Sequence, residues 1–369
     1  MPVVKKKNIL SDFSVVDLFC GIGGLTHGFL LEKFDVSAGI DFDATCRFAY
    51  VTNNKTEFIY KDITNLKGEE LNAQFGENKR KILVGCAPCQ PFSIFNRKAE
   101  FDEVKHQKED GKWKLLYSFA DLIEKTKPEI VSMENVPLLL TYNKGQVYND
   151  FVLRLNKCGY HVTSYLVNAQ DYGVPQRRKR LVLFGSKHGE IILIPPTVKN
   201  NSYVTVNKAI GHLPAIKDGE IHPEDPLHRA RKLSELSKKR IKASRVGKTW
   251  KDWDEELKLN CHKEKGGKMY TSVYGRMRGN EVAPTITTYC IGLNNGRFGH
   301  PKQARAISLR EAAILQSFPE KYNLIDEKAN FSSSNIARHI GNAVPVLLGK
   351  AIAKSIKKHI QTLASNEKK

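Results

Sequence analysis

Phe13-Ser-Val-Val-Asp-Leu-Phe19 runs directly into Cys20-Gly21-Ile22-Gly23-Gly24-Leu25, and then into Thr26-His-Gly-Phe-Leu-Leu31. The first run is rich in β-forming residues and reads as a strand, the second as a tight turn, the third as a helix. Strand, glycine turn and helix are how a doubly wound α/β sheet begins, and the turn lies where such sheets bind ligands. Glycine lets a ligand approach the backbone closely. The spacing is not the dinucleotide fingerprint, because Gly21 and Gly23 fit it but position 26 is Thr. A tight turn with no ligand would look the same.

The next apolar run, Phe34-Asp-Val-Ser-Ala-Gly-Ile40, ends in Asp41, and Glu57-Phe-Ile-Tyr60 ends in Lys61-Asp62-Ile63. A carboxylate at the tip of the second strand, about 20 positions after the glycine turn, is placed to take ribose hydroxyls. Three successive strand ends carrying a glycine turn, Asp41 and Asp62 suit an adenosine-containing cofactor. No phosphate-binding lysine loop accompanies them. Either aspartate could instead cap the element that follows it. Leu115–Ile123 has a helical period ended by Lys127-Pro128, and Glu129–Met133 reads as a strand ending in Glu134-Asn135. A helix is expected over about 146–157, a strand over Tyr160–Asn168 and another over Leu181–Phe184. Strands alternating with helices argue a mainly parallel sheet.

Between these lies Lys81-Ile-Leu-Val84, then Gly85-Cys86-Ala87-Pro88-Cys89-Gln90-Pro91-Phe92-Ser93. Proline fixes its own φ and pushes the residue before it to an extended conformation, so the backbone around Cys89 is stiff. That suits a nucleophile with a set direction of approach. A small buried hydrophobe, or half of a Cys86-x-x-Cys89 redox or zinc pair, would fit the same letters.

The chain's 369 residues allow two domains, and 41% hydrophobic residues are enough for a core. Its formal net charge of +20 implies a polyanionic partner, nucleic acid or a membrane surface. No apolar run approaches the ~18–20 residues of a membrane span. The basic Met1–Asn8 lacks a signal-peptide core. A soluble, unexported, cytoplasmic protein is therefore expected. Seven scattered cysteines fit free thiols in a reducing compartment.

Beyond Ser186 the periodicity fades. His228–Lys248 holds nine Lys/Arg against one acid, Glu235. In so basic a chain this favours a phosphate-contacting surface over a merely solvated face. Thr285–Tyr289 reads as a strand and Gly292–His300 as a glycine-rich loop. Ser308–Ser317 reads as a helix whose Ser308 and Glu311 form a capping box. His339–Pro345 precedes a long helix from Val346 to about Leu363.

Six segments, in order, now resemble the bacterial DNA (cytosine-5)-methyltransferases of restriction–modification systems. They are Asp17-Leu-Phe-Cys-Gly-Ile-Gly-Gly24, Gly85–Ser93, Glu134-Asn-Val136, Gln176-Arg-Arg-Lys-Arg180, Arg310-Glu311 with Leu315-Gln316, and Gly341-Asn-Ala-Val344. The resemblance implies a class I S-adenosylmethionine-dependent methyltransferase fold, Rossmann-like, with a smaller irregular target-recognition domain. It implies residues 1–190 as the catalytic and cofactor-binding domain, 191–329 as the recognition domain and 330–369 as a C-terminal return completing the catalytic domain. Phe19, Gly21, Ile22, Gly23, Asp41, Asp62, Ile63, Pro88, Leu115, Asn342 and Val344 would hold S-adenosylmethionine, with S-adenosylhomocysteine as product. Cys89 would be the nucleophile, Glu134 would hold the cytosine N3 and amino edge, Arg180 would donate to O2, and Arg178 would support them. The partner implied is double-stranded DNA, met by Gln90, Ser93 and Gln176. Arg276, Asn294, Asn295 and Arg297 are polar candidates for reading bases. A monomer is expected, with a cognate restriction endonuclease acting on the same sequence.

The chemistry explains the residue types. Cytosine C5 is a poor nucleophile until a thiolate adds at C6, and only a thiolate attacks well. A carboxylic acid kept neutral by its surroundings can stabilise N3 as charge builds, and an arginine at O2 adds fixed positive charge. The target atom is unreachable in a duplex, so the base must be flipped out. Ile94–Lys112 would close over it. A tRNA cytosine methyltransferase is the alternative, but the Cys-Phe-Thr triplet of that branch is absent here. A nicotinamide oxidoreductase would leave Glu134, Arg180 and the charge unexplained. Intact Cys89, Glu134 and Arg180 argue against a non-catalytic DNA-binding protein.

Overall fold

The structure, a computed structural model, describes residues 9–88, 113–264 and 271–366. By its contacts the chain divides into two compact units. One takes in the residues up to Asn168, Lys179–Pro195 and the stretch from Val346; the other takes in Ala169–Arg178 and Pro196–Pro345.

The first unit is built on a seven-stranded sheet. Its strands are β1 (Phe13–Leu18), β2 (Val36–Asp41), β3 (Glu57–Tyr60), β4 (Arg80–Gly85), β5 (Ile130–Asn135), β6 (His161–Asn168) and β7 (Lys179–Ser186), in the order β3-β2-β1-β4-β5-β7-β6. The pairs from β3 to β5 are parallel, while β7 runs antiparallel to both β5 and β6. β1 and β5 are buried at every residue, as strands covered on both faces must be, and the polar residues among them, Ser14, Asp17, Ser132, Glu134 and Asn135, are buried too. The edge strands β3 and β6 expose half of their residues, Glu57, His161, Ser164 and Asn168 among them.

Helices α1 (Gly24–Leu31), α2 (Arg47–Asn54), α3 (Gly68–Ala73), α4 (Lys114–Thr126) and α5 (Gln146–Lys157) connect these strands. α4 buries Leu116, Phe119, Ala120, Leu122 and Ile123, the stripe its sequence period predicts, and Phe119 packs on Phe151 of α5 with ring centroids 5.8 Å apart. The C-terminal helix Val346–Asn366 lies against α1. They meet so closely that a Cβ on Gly28 would stand 2.4 Å from the carbonyl carbon of Gly349. Only two glycines allow that crossing.

This topology collects the chemistry. Parallel strands β1 to β5 all end at one edge of the sheet, and β7, running the other way, begins there. Phe19, Asp41, Asp62, Cys86, Glu134 and Arg180 are therefore assembled at the carboxyl edge, where open α/β sheets bind ligands.

The second unit has a core of Ile241, Trp250, Trp253, Leu257, Tyr274, Leu293 and Ala306. It includes the hairpin β8 (Ile221–His222) with β9 (Asp225–Arg229), and helices over Glu235–Ala243, Leu309–Leu315 and Ser333–Asn342. Ser308 and Glu311 form the expected capping box, and Glu311 is also clamped by the fully buried Arg305 at 2.7 and 2.8 Å. Thr285–Tyr289 is not the strand its β-branched residues predict. Its backbone is held by side chains instead: Ile286 N–H donates to Gln176 Oε1, and Ile286 C=O accepts from Arg178. Gly341 then crosses so near that a Cβ there would lie 2.3 Å from the carbonyl carbon of Thr287. No neighbouring strand is needed to satisfy this segment.

Candidate active site

After β1 the chain turns through three residues with positive φ: Phe19 at 59°, Gly21 at 51° and Gly23 at 86°. For glycine this is free; for Phe19 the left-handed conformation costs about 1–2 kcal/mol. The Phe19 ring packs edge-on against Phe119 of α4, which helps to hold the strained residue in place. Nothing lies within 4 Å of where a Cβ on Gly21 would be, so the turn is open on that side. Ile22 is buried beneath it.

Asp41 closes the turn from β2. Its Oδ2 accepts from Gly21 N–H at 2.8 Å and its Oδ1 from Asp43 N–H at 2.9 Å. Burial raises its pKa, and these backbone donors oppose that rise. A carboxylate has about four lone-pair sites, so two remain for other donors. Phe42, the next residue, leaves its large ring 59% exposed. Sequence reasoning passed over Phe42; the only signal was its place beside a flagged strand-end carboxylate. Asp62 fulfils the capping alternative: its Oδ1 accepts from Thr64 N–H at 2.9 Å and from the Thr64 hydroxyl at 2.8 Å. Ile63 is buried behind it, and Leu115 and Pro88 are each half-buried.

Glu134 ends β5 with only 3% exposure. Arg180, second residue of β7, brings its Nε within 3.0 Å of Glu134 Oε1, near enough to pair charge but out of line for a hydrogen bond. Arg180 Nη1 donates to Lys179 O at 2.7 Å. Beyond β4 the backbone is pinned: Cys86 N–H donates to Leu18 O, and Asn135 Nδ2 donates to Ala87 O. The Cys86 thiol donates to Glu134 Oε2 at 2.9 Å. Cys89, Gln90, Ser93 and the Ile94–Lys112 stretch lie outside the described residues.

The remaining expected residues belong to the second unit. Arg178 is buried and gives its guanidinium to the carbonyls of Ile286, Gly341 and Ala343. Gln176, expected at DNA, is instead fully buried at 0% exposure. Its Nε2 donates to Leu315 O and Gln316 Oε1, and its Oε1 accepts from Ile286. It acts as an internal joint, because a side chain so enclosed has no free group to offer a ligand. Asn342 is exposed at the end of its helix and Val344 is buried. Arg297 Nη1 donates to Lys248 O at 2.6 Å, and Asn294 Oδ1 accepts from Asn295. Arg276 is half-buried, and its Nε has no hydrogen-bond partner among the described residues.

A mostly parallel seven-stranded sheet, with a glycine turn and acidic residues along its carboxyl edge, defines the class I methyltransferase fold. The family model for C-5 cytosine-specific DNA methylases matches residues 13–358, and the chain belongs to that family. It is 50% identical over 355 residues to the type II methylase M.HgiDII of Herpetosiphon aurantiacus, covering 96% of this chain and 98% of that one. The type II methyltransferase M1.HphI of Haemophilus parahaemolyticus is 28% identical, over 93% and 86%. Among solved structures, a putative DNA modification methyltransferase encoded within an Escherichia coli prophage superposes with a TM-score of 0.71 at 21% identity. It covers 94% of this chain and 99% of that chain, and it supports the fold. The protein is thus a DNA (cytosine-5)-methyltransferase, an enzyme that acts on DNA with a methyl donor.

Proposed function

We propose that the enzyme methylates a cytosine flipped out of duplex DNA, with Cys89 as nucleophile and S-adenosylmethionine as donor. The observation that carries this reading is the buried Glu134–Arg180 pair, which stands beside the pinned Cys86-Ala87-Pro88 segment leading directly into Cys89. The carboxyl edge fits the donor. Asp41 keeps acceptor capacity for ribose hydroxyls, the open Gly21 turn admits a ligand against its backbone, and the exposed Phe42 ring offers an apolar face to a purine. Ile63 and Leu115 line the same edge, and Asn342 and Val344 are assigned to the cofactor by family resemblance. When bound, S-adenosylmethionine supplies an electrophilic methyl group and leaves as S-adenosylhomocysteine.

The Cys89 thiolate adds to C6, and the ring electrons move to C5 and toward N3 and O2. Glu134 holds N3 and the exocyclic amino group, while Arg180 sets positive charge at O2 where electron density grows. Both groups are already buried and paired, so little reorganisation is needed as charge develops. After C5 is methylated its proton leaves, and Cys89 is expelled by β-elimination. Arg178 steadies the second unit's backbone from within. Target choice falls to the second unit. Arg276, with part of its guanidinium uncommitted, suits base reading better than Arg297, which is spent on backbone carbonyls. A companion restriction endonuclease would cut the same sequence when it is unmethylated.

A duplex carrying 5-fluorocytosine at the target tests this, because fluorine cannot leave as a proton. With S-adenosylmethionine present, a covalent protein–DNA adduct should accumulate and resist denaturation. Cys89→Ala should form none. No adduct from the unaltered enzyme, or an adduct that persists in Cys89→Ala, refutes the mechanism.

A further inference from the structure

Glu134 is the buried acid on which the proposed chemistry turns, so what aims it matters. Arg180 faces Oε1 at 3.0 Å without a hydrogen bond. The hydrogen bond that does orient the carboxyl group comes to Oε2 from Cys86 Sγ, at 2.9 Å. Cys86 is itself fixed from two directions. Its N–H is tied to Leu18 O on β1, and the carbonyl of the next residue is tied to the Asn135 side chain on β5. Asn135 is in turn locked, since its Oδ1 accepts from Val136 N–H at 2.8 Å. The thiol is thus presented to Glu134 by backbone that belongs to three neighbouring strand ends.

We propose that Cys86 is a positioning residue for methyl transfer. Its S–H holds Oε2, which fixes the Glu134 side-chain torsion and leaves Oε1 beside Arg180 for the incoming base. This rests on the proposed role of Glu134. A thiol is a weak donor. It orients the carboxyl group before the base arrives and stays on Oε2 afterwards, since that oxygen has a second lone pair for the cytosine amino group. A hydroxyl in its place would orient the group in the same way. The Cys86-x-x-Cys89 spacing therefore reflects two thiols with separate tasks, one aiming the acid and one attacking the ring.

The test is the single-turnover methylation rate at saturating duplex and S-adenosylmethionine, read alongside DNA affinity and melting temperature. Cys86→Ala should slow the step about tenfold, in the range for one lost hydrogen bond. DNA affinity and melting temperature should stay at wild-type values. Cys86→Ser should recover the rate to within about threefold, since it restores a donor. In a Glu134→Gln background, Cys86→Ala should bring no further loss, because residues that act through one another are non-additive. Cys86→Val keeps the volume without the donor and replaces alanine if alanine unfolds. A wild-type rate in Cys86→Ala beside an inactive Glu134→Gln overturns the proposal and leaves the Glu134 reading intact. Equal loss in the alanine and serine variants, or an additive loss in the double variant, also overturns it. A wild-type rate in Glu134→Gln would defeat the reading of Glu134, and this proposal with it.

Discussion

Asp17, next to last in β1, is buried at 1% exposure. Its Oδ2 accepts from Thr26 at 2.7 Å, Thr26 in turn meets the Tyr50 hydroxyl, and Oδ1 is buried without a hydrogen bond among the described residues. Burial pushes its pKa up to about 7 from 3.8, against the pull of the Thr26 bond and with some help from Asp41. The sign follows from proton binding. Between these two values the folded chain holds a proton that the unfolded chain has lost, so stability falls as pH rises through about 4 to 7. At 1.36 kcal/mol per unit the full loss is about 4 kcal/mol. Asp17→Asn carries no charge, so its urea-unfolding free energy should lose that slope between about pH 4 and about pH 7. Parallel pH profiles for the two proteins would show that Asp17 is ionised in the fold. Beside it, Phe19 holds a positive φ that its own side chain disfavours, and strain of this kind persists where surrounding packing over-determines it.

Between elements, one close joint made backbone to backbone is where α1 meets the C-terminal helix. A methyl group on Gly28 would meet the backbone at Gly349 and Lys350, both at 2.4 Å, and backbone cannot swing aside. Gly28→Ala should therefore destabilise by about 3 kcal/mol or more. Gly349→Ala, whose Cβ would find Leu25 at 3.2 Å, should lose clearly less; denaturant midpoints would check the order. The same elements show why so much was legible. β3 and α5 fall on the residues their patterns mark, because apolar period and flanking turn signals agree there. Thr285–Tyr289 misleads because its partners, Gln176 and Arg178, lie over 100 residues earlier, and no local pattern records a side chain that replaces a strand. Glu134 and Arg180 could be singled out by their strand-end positions and motif. The Cys86 contact could not, since its 48-residue separation from Glu134 is closed only by the β4–β5 register. Gln176 was misjudged for a related reason: a polar residue in an Arg-rich run looks exposed, and burial is a tertiary property.

Over the whole chain, 59 Lys and Arg against 39 Asp and Glu leave a charge that a polyanion must answer. The basic run of the second unit does not contribute evenly. Lys238 is paired with Glu235 at 2.8 Å and Asp218 at 3.6 Å, and Arg240 is buried, donating to Leu257 O and covering the Tyr274 ring. Arg229 lies over Phe331. These three are structural, whereas Lys239, Lys242, Arg245 and Lys248 stand exposed along and just after the helix Glu235–Ala243. Phosphate contacts release counterions, so the DNA association constant should fall with salt at a slope of about −0.9 for each phosphate neutralised. Replacing those four residues with alanine should flatten the slope by up to about 4 units, measured by fluorescence anisotropy across a salt series. The single-turnover rate at saturating DNA should not change, because none of the four belongs to the Glu134–Arg180 edge. Replacing Lys238 and Arg240 should do the reverse: it should lower the denaturant midpoint and leave the salt slope where it was. If the two sets behave alike, the charge of this segment acts as a diffuse field and contacts no particular phosphates.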